Sequence, residues 1–322
     1  MKTSKLKLRP LWLIITALLL CLPLFLKGYY VYVLNLMGIY FLVSLGLNLL
    51  TGYCGQISIG HAAFLAIGSF GSATMTQHFG LPFWFALPLS GLAGALFAFL
   101  VGIPVLRLRL IFLAIATICL GIITHDLFYT MESISGGANG IMVLKPAIGP
   151  FVFKSDKSFF YIVLVTAALI TYLLWKIVRS KTGRAFLAIR ESERAAAAIG
   201  INIQKYRMLA FVISGFYTGI AGSLYAHMVG YLNIATFEIF LSISFLFMII
   251  IGGLASIPGS LLGAAFLVLV PEALRDVPGA KEIQVIIFGV LTIVFIIYLP
   301  GGLATAGQKI KNWISAHRMV KG

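Results

Sequence analysis

Charged residues are scarce in this chain, and acidic residues are the scarcest. Only 10% of the 322 residues are charged, and nine of them are Asp or Glu. A soluble globular domain carries about 25% charged residues. A chain that is 61% hydrophobic, with a mean hydropathy of +1.05, is therefore excluded from that class. Because lipid cannot satisfy unpaired backbone groups, apolar segments of this kind cross a bilayer as helices. The composition predicts an all-α polytopic membrane protein.

The sequence also lacks the residue patterns of covalent chemistry and of metal binding. It contains no phosphate-binding loop of the GxxxxGKS or GxxxxGKT form, so the chain cannot hydrolyse ATP by that route. The five histidines form no HExxH pair. The three cysteines, Cys21, Cys54 and Cys119, lack metal-ligand spacing, and we expect them to be small buried residues. The chain is predicted to be no enzyme and to hold no cofactor or metal.

Ten apolar windows meet or approach the length of about 20 residues that a spanning helix needs. They lie at 11–26, 29–50, 57–77, 83–103, 110–130, 159–178, 208–229, 239–257, 258–272 and 283–300. The third window carries polar residues, and the ninth is short enough to be re-entrant. We predict ten spans, with eight as the alternative. The predicted organisation is a cytoplasmic N-terminus over 1–10, a transmembrane domain over 11–300 and a cytoplasmic tail over 301–322.

The basic residues support an orientation with both termini in the cytoplasm. In that arrangement 18 of the 24 lysines and arginines fall on the inner side, which is the asymmetry that the positive-inside rule describes. The net charge of +15 then follows from contact with anionic membrane lipid, and no nucleic-acid partner is expected. The first window resembles a secretory signal without a cleavage site, so we expect an uncleaved anchor.

Glycine is abundant, with 33 residues, and its spacing predicts close helix packing. GFYTG at 215–219 and GSLLG at 259–263 place two glycines four residues apart, which is typical of helices whose backbones approach closely. Pro258 predicts a break between two apolar runs, because proline cannot continue the helical hydrogen bonds. The group of spans two to five starts with a span that begins outside, and the group of spans seven to ten starts with a span that begins inside. Two groups of opposite sense are what an inverted repeat would require.

One polar segment, residues 179–207, interrupts the apolar sequence. We expect a helix that begins at Gly183, is capped by Thr182 and ends at a left-handed Gly200. Its charged side chains, expected to face water, are Arg184, Arg190, Glu191, Glu193 and Arg194. Four consecutive small residues follow them: Ala195, Ala196, Ala197 and Ala198. Such a helix either docks into a groove on a cytoplasmic partner or lies as an amphipathic loop on the membrane surface.

A second group of polar residues lies around the second and third spans. Its members are Asn48, Gln56, Ser58 and His61. Buried polar groups in a membrane must be paired or must face a cavity. The group therefore predicts either the lining of a path that passes a zwitterion by brief hydrogen bonds, or hydrogen bonds between helices. In the outer loop, residues 135–140 either position an external partner or form a cluster of turns.

Several segments carry a resemblance to a known family in their order and spacing. They are LNLLTGYCGQISIGHAAFLAIGSF (47–70), LRLR (106–109), SGGANGI (135–141), GRAFLAIRESERAAAAIGIN (183–202), LAFVISGFYTGIAGSLYA (209–226) and GGLASIPGSLLGAAFLVLVPEALR (252–275). The chain resembles the LivM-type permease subunits of branched-chain amino acid ABC importers of the bacterial inner membrane. This resemblance implies a sister permease as partner, two cytoplasmic ATPases and a periplasmic binding protein.

The resemblance also implies roles for residues of the polar segment. It makes 179–207 a coupling loop whose helix is seated on an ATPase and is pushed as a rigid body. The implied coupling residues are Arg184, Arg190, Glu191, Glu193, Ala195, Ala196 and Gly200. Substrate would then move inward by alternating access.

The substrate is less narrowly indicated than the mechanism. Branched-chain amino acids follow from the resemblance, and related systems carry urea, short amides or aromatic acids. An ion-coupled secondary carrier is the alternative from a different class. Such a carrier needs an ionisable residue within the membrane, for which His61 is the candidate.

Overall fold

The computed structural model describes residues 22–23, 25–108, 110–148, 151–153, 155–273, 289–290, 293–294, 297 and 301–305. Over these residues the protein is a bundle of helices. In chain order they are α1 (Gly28–Leu47), α2 (His61–Gln77), α3 (Phe83–Val105), α4 (Leu110–Thr130), α5 (Glu132–Ser135), α6 (Asp156–Arg179), α7 (Lys181–Glu191), α8 (Glu193–Ala198), α9 (Ile203–Val229), α10 (Ile239–Gly252) and α11 (Ile257–Ala273). Two antiparallel pairs of short strands join β1 (Ile141–Met142) to β4 (Tyr231–Leu232), and β2 (Ala147–Ile148) to β3 (Phe151–Val152).

The helices confirm the polytopic all-α class. Five of them are long and apolar enough to cross a membrane: Gly28–Tyr53, Phe83–Val105, Phe112–Thr130, Asp156–Arg179 and Ile203–Val229. Helices α2, α10 and α11 lie at the predicted windows 57–77, 239–257 and 258–272 and have 17, 14 and 17 residues, fewer than the five long helices. Windows 11–26 and 283–300 lie almost wholly outside the described residues. The count of ten spans, the inverted repeat and the cytoplasmic termini stay predictions.

Helix α9 lies at the centre of the bundle and packs on α1, α2 and α3. A Cβ atom added at Gly215 would lie 2.6 Å from the carbonyl oxygen of Gly94, and one at Gly219 would clash with the carbonyl oxygen of Ser90. On its other face, a Cβ at Gly222 would clash with the backbone of α2. The close packing predicted from GFYTG is confirmed, because only glycine lets these backbones approach so far.

Two helices are interrupted inside the bundle. Helix α1 continues as one π-helical turn, Asn48–Tyr53, before residues 55–60 lead to α2 without helical structure. The second interruption separates α10 from α11 at residues 253–256, where Ala255 has a positive φ of 56°. The predicted break before Pro258 is confirmed. Glycines of the GSLLG segment pack α11 against α10, because a Cβ at Gly263 would clash with the carbonyl oxygen of Met248.

The described charges are distributed unequally between the two ends of the bundle. The first, called here the basic end, consists of residues 53–60, 106–108, 176–207 and 252–257. Its cations are Arg107, Lys176, Arg179, Lys181, Arg184, Arg190, Arg194, Lys205 and Arg207. The opposite end carries five of the seven described acidic residues, Asp126, Glu132, Asp156, Glu238 and Glu272, together with Lys27, Lys145 and Lys157. The other two, Glu191 and Glu193, lie at the basic end. Cation–π contacts of Lys176 with Tyr172 and of Arg179 with Trp175 mark the basic end of α6, as is typical of membrane interfaces.

At the opposite end, the loop predicted to hold turns does so. Helix α5 ends at Ser135, Gly136 adopts a left-handed φ of 70°, and Gly137–Asn139 forms a 3-10 turn. The hydroxyl of Tyr231 donates to the carbonyl of Asn139, which holds this turn against β4. A cavity of about 320 Å³ lies nearby, lined by side chains that include Lys145 and His227. The turn alternative is therefore confirmed, and a contact with an external partner stays a prediction.

Candidate coupling site

The polar segment folds as two short helices rather than one. Ser180 caps α7, because its hydroxyl accepts a hydrogen bond from the Thr182 amide at 3.1 Å. The prediction that Thr182 is the cap is therefore wrong. Ser192 then adopts an extended conformation (φ −160°, ψ 112°), ends α7 and caps α8 by accepting from the Ala195 amide. A serine with extended backbone angles favours the start of a new helix over continuation of the old one.

Three of the four consecutive alanines of α8 are exposed, and one is buried. Ala195, Ala197 and Ala198 are exposed, but Ala196 is 1% exposed and faces the bundle. The prediction that Ala195 to Ala198 together present one surface of small residues is wrong at Ala196, because the short turn of α8 directs that side chain inward. Gly200 is exposed and ends the segment with a φ of 81°, which confirms the left-handed stop.

Some charged coupling residues are only exposed, and others also bind a partner among the described residues. Arg184 and Glu191 are exposed on α7. Glu193 forms an ion pair with Arg207, which connects α8 to the first turn of α9. Arg190 has an exposed side chain, yet its Nη1 atom donates to the carbonyl oxygen of Gly52. Both side chains are exposed, as predicted, and each also binds a partner within the chain.

Arg190 lies directly against the interruption that follows α1. Gly55 has a positive φ of 76°, and a Cβ atom there would lie 3.2 Å from the Cγ atom of Arg190. The stem of Arg190 therefore covers this turn, and a residue larger than glycine at position 55 would crowd it.

Cys54 lies in the same turn, between Gly52 and Gly55, and is 2% exposed. Burial raises the pKa of its thiol to about 12, while the Arg207 guanidinium lowers this pKa and the Glu193 carboxylate raises it by smaller amounts. Cys54 fits the expected small buried residue. Cys119 does not, because it is exposed on α4, and Cys21 lies outside the described residues.

Asn48 joins the two interrupted helices. Its Nδ2 atom donates to the carbonyl oxygens of Gly253 (3.3 Å) and Ser256 (3.0 Å) and to the hydroxyl of Ser260 (2.9 Å). Its Oδ1 atom accepts from the amide of Ala255 at 2.8 Å. Because lipid cannot satisfy the free backbone groups of a broken helix, a buried amide side chain does so here. For Asn48, the contacts therefore support hydrogen bonding between helices, the second of the two predicted roles.

Ser58 and His61 also form bonds within the bundle. The Ser58 hydroxyl lies 3.3 Å from Nδ1 of His61, and Nε2 of His61 lies 2.7 Å from the hydroxyl of Ser214 on α9. The backbone beside them is satisfied by hydroxyls of other helices, because the Ile59 amide donates to Thr117 on α4. These contacts secure the start of α2 between α4 and α9.

Gln56 differs from the other three polar residues. It is 1% exposed, and neither the nitrogen nor the oxygen of its side-chain amide has a hydrogen-bond partner among the described residues. Its backbone is satisfied, since its amide donates to Leu50 and its carbonyl accepts from Thr51. A buried amide without partners is costly, so among the four predicted path residues Gln56 is the one whose side chain retains capacity for a ligand or for water.

Residues that the sequence reasoning missed are those that contact the predicted ones. They are Ser192, Arg207, Gly52, Gly55, Ser214, Ala255 and Ser260. Ser192 carries a readable signal, because serine followed by an acidic residue is a helix-start pattern. The others are distant in sequence from their partners, as Gly52 is from Arg190, and no local pattern marks them.

Comparison with known proteins decides the family. Residues 29–296 match the family described as "Branched-chain amino acid transport system / permease component". The chain belongs to this family. The permease is 33% identical over 301 residues to the high-affinity branched-chain amino acid transport system permease protein LivM of Escherichia coli K12, across 85% of this chain and 70% of that protein. No solved structure matches it significantly.

Two further relatives are permeases of other types. The permease is 27% identical over 189 residues to the nucleoside ABC transporter permease protein NupC of Lactococcus lactis, across 53% of this chain and 59% of that protein. It is 25% identical over 289 residues to the LivH permease of Salmonella typhimurium, across 82% of this chain and 90% of that protein. Relatives of both the LivM and the LivH type indicate a permease pair within an ABC importer.

Proposed function

We propose that this permease is one of two membrane subunits of an ATP-driven, binding-protein-dependent importer of branched-chain amino acids in the bacterial inner membrane. The observation that carries the proposal is the family match over residues 29–296. In this proposal the chain has ten spans and cytoplasmic termini, with the basic end in the cytoplasm. The excess of described Lys and Arg at the basic end, nine against three at the opposite end, supports that orientation.

The ATPase subunit docks on α7 and α8 in this proposal. These helices expose the charges of Arg184 and Glu191 and the small side chains of Ala195, Ala197 and Ala198. Small exposed residues on a short helix let a partner groove approach the backbone closely. The inner side of α8 packs on the bundle through buried Ala196, and Glu193 pairs with Arg207 of α9. A push on the exposed face therefore reaches the bundle.

Gln56 is the residue proposed to contact the substrate. A zwitterion offers both donors and acceptors, and the side-chain amide of Gln56 provides both in an unpaired state. Asn48, Ser58 and His61 are proposed to shape the path by holding the helices around it. High affinity would lie in the binding protein, which is proposed to meet the permease at the acidic end, so the path itself needs only brief polar contacts.

The test is ATP hydrolysis and uptake by proteoliposomes that hold this chain with its sister permease, both ATPases and the binding protein. We expect leucine to stimulate ATP hydrolysis and labelled leucine to accumulate. A control without the binding protein should lose the stimulation. Uptake driven by an ion gradient, without dependence on ATP, would contradict the proposal and would favour a secondary carrier.

A nucleoside is the second candidate substrate, because one relative is a nucleoside permease. The same proteoliposomes distinguish the two. Stimulation by adenosine or uridine but not by leucine, isoleucine or valine would retain the mechanism and replace the substrate. Urea, short amides and aromatic acids belong in the same panel of solutes.

A further inference from the structure

We infer that Arg190 is the positioning residue through which movement of α7 reaches the two interrupted helices of the bundle. Its principal role is then to couple ATP hydrolysis to transport, and the ATPase is held by other residues. This inference rests on the proposed function, because it assumes that an ATPase moves α7. It adds a route into the membrane domain, which begins at Arg190 and passes through Gly52 and Asn48.

The first step of the route joins α7 to the turn after α1. Arg190 lies in the last turn of α7, and its guanidinium donates to the carbonyl oxygen of Gly52, 138 residues earlier in the chain. A charged donor makes a stronger hydrogen bond than a neutral one. The stem of the same side chain covers Gly55, where an added Cβ atom would lie 3.2 to 3.3 Å from three Arg190 atoms. A displacement of α7 therefore acts directly on residues 52–55.

The second step joins that turn to the break between α10 and α11. A Cβ atom at Gly52 would clash with Oδ1 of Asn48 and with the amide nitrogen of Ala255. Asn48 itself makes four hydrogen bonds to residues 253–260. The π-helical turn and the break are thus in direct contact, and neither can shift without displacing the other.

Residues 301–302 also contact the break between α10 and α11. A Cβ atom at Gly302 would clash with the Cα atom of Gly253, and one at Gly253 would lie 2.9 Å from the carbonyl oxygen of Gly301. Three stretches of backbone, around residues 52, 253 and 302, therefore meet at one point of the basic end.

Helices α7 and α8 have a second connection to the bundle, which leads to a continuous helix. The Glu193–Arg207 ion pair leads to α9, a continuous helix of 27 residues whose glycines lie against the backbones of α2 and α3. An ion pair with a 46% exposed carboxylate contributes little energy. A continuous, closely packed helix moves as a rigid element, whereas interrupted helices can change their backbone angles at the break. Arg190 is therefore the connection that turns a push into a rearrangement.

The experiment compares Arg190→Ala with Arg107→Ala in the complete reconstituted importer. Arg107 is an exposed arginine at the same end of the bundle, outside the coupling loop, and controls for loss of one positive charge. For Arg190→Ala we expect both ATPase subunits to co-purify and ATP hydrolysis to continue, while uptake per ATP falls by about tenfold or more. Arg107→Ala should match the wild type in all three measurements.

A second variant keeps the test decisive if the alanine variant does not fold. Arg190→Lys retains the charge but replaces the planar guanidinium by a single ammonium group, and we expect the same loss of uptake per ATP in smaller degree. The inference is overturned if uptake per ATP stays at the wild-type value, which includes the case in which uptake and ATP hydrolysis fall together because ATPase subunits are lost. A wild-type complex without ATP-dependent uptake of any solute would instead refute the proposed function.

Discussion

At the scale of single residues, neighbours in the coupling segment have unlike surroundings. Ala196 of α8 is buried against the bundle, whereas Ala197 beside it is exposed. The same substitution at the two positions therefore has different physical consequences. A large side chain at the exposed position changes what the surface can accept, and at the buried position it changes how α8 packs on the bundle.

We expect Ala197→Phe to leave the permease folded in the membrane and to abolish ATPase binding and uptake. Ala196→Phe should instead destabilise the protein by about 1–3 kcal/mol, the usual cost of overpacking a filled site. Co-purification of the ATPase and thermal unfolding of the purified permease measure the two effects, and Ala197→Ser is the size-matched control. If Ala197→Phe binds the ATPase and transports normally, α8 is no docking surface.

At the scale of elements, glycine decides how closely the helices approach. Gly219 on α9 lies against the backbone of α3 at Ser90 and Gly91, and its own carbonyl oxygen lies where a Cβ on Gly68 of α2 would be. Gly121 on α4, by contrast, has nothing within 4 Å of an added Cβ. The two positions therefore separate glycine as a packing residue from glycine as a weak helix former.

Gly219→Val should lower the stability of the bundle by about 1–3 kcal/mol, because α9 must move away from α3. Gly121→Ala should leave it unchanged or raise it slightly, since alanine favours a helix. Gel filtration of the heated, detergent-solubilised protein measures both. Equal thermal stability of Gly219→Val and the wild type would show that α9 does not depend on this close approach.

Continuity of the elements matters as much as their packing. The long helix α9 has no described interruption, whereas its neighbour α1 passes into a π-helical turn and then into the non-helical residues 55–60 near the basic end. Helix α10, which contacts α1, ends at the break over residues 253–256. Interruptions in membrane helices persist only where other groups satisfy the backbone, and Asn48 provides that satisfaction. The element that is most rigid and the elements that can rearrange thus lie side by side.

At the scale of the whole molecule, the two ends differ in charge, and this difference predicts their exposure to different compartments. Met142 at the acidic end and Ile199 at the basic end are 73% and 74% exposed, so they form a matched pair for labelling. In a background with all three cysteines replaced by serine, Met142→Cys should react with a membrane-impermeant maleimide added to spheroplasts.

In the same spheroplasts Ile199→Cys should react only after the membrane is permeabilised. Expression of this subunit alone prevents an ATPase from covering Ile199. The reverse pattern would invert the orientation and would place the coupling segment outside the cell, where no cytoplasmic ATPase could reach it.

Membrane class, most helix positions, the glycine contacts of α9, the break before Pro258 and the stop at Gly200 were all predictable from the sequence. Each depends on hydropathy, residue size or backbone preference within a few neighbouring residues. The cap at Ser180 and the division at Ser192 were open to the same reasoning, but Thr182 competed for the first of these roles. Local chemistry therefore determines which elements form, where they end and which of their faces admit another backbone.

Only the tertiary structure decided which polar groups meet. Arg190 binds the carbonyl of a residue 138 positions away, and Asn48 binds residues 205 to 212 positions away. Neither partner differs locally from many similar groups in the chain, because every residue offers a carbonyl and several serines offer a hydroxyl. Selection among them follows from how the helices pack, and that packing is a property of the whole bundle. For this reason the same local sequence marks Arg190 as a surface charge, while the fold makes it a contact between the coupling segment and the interrupted helices.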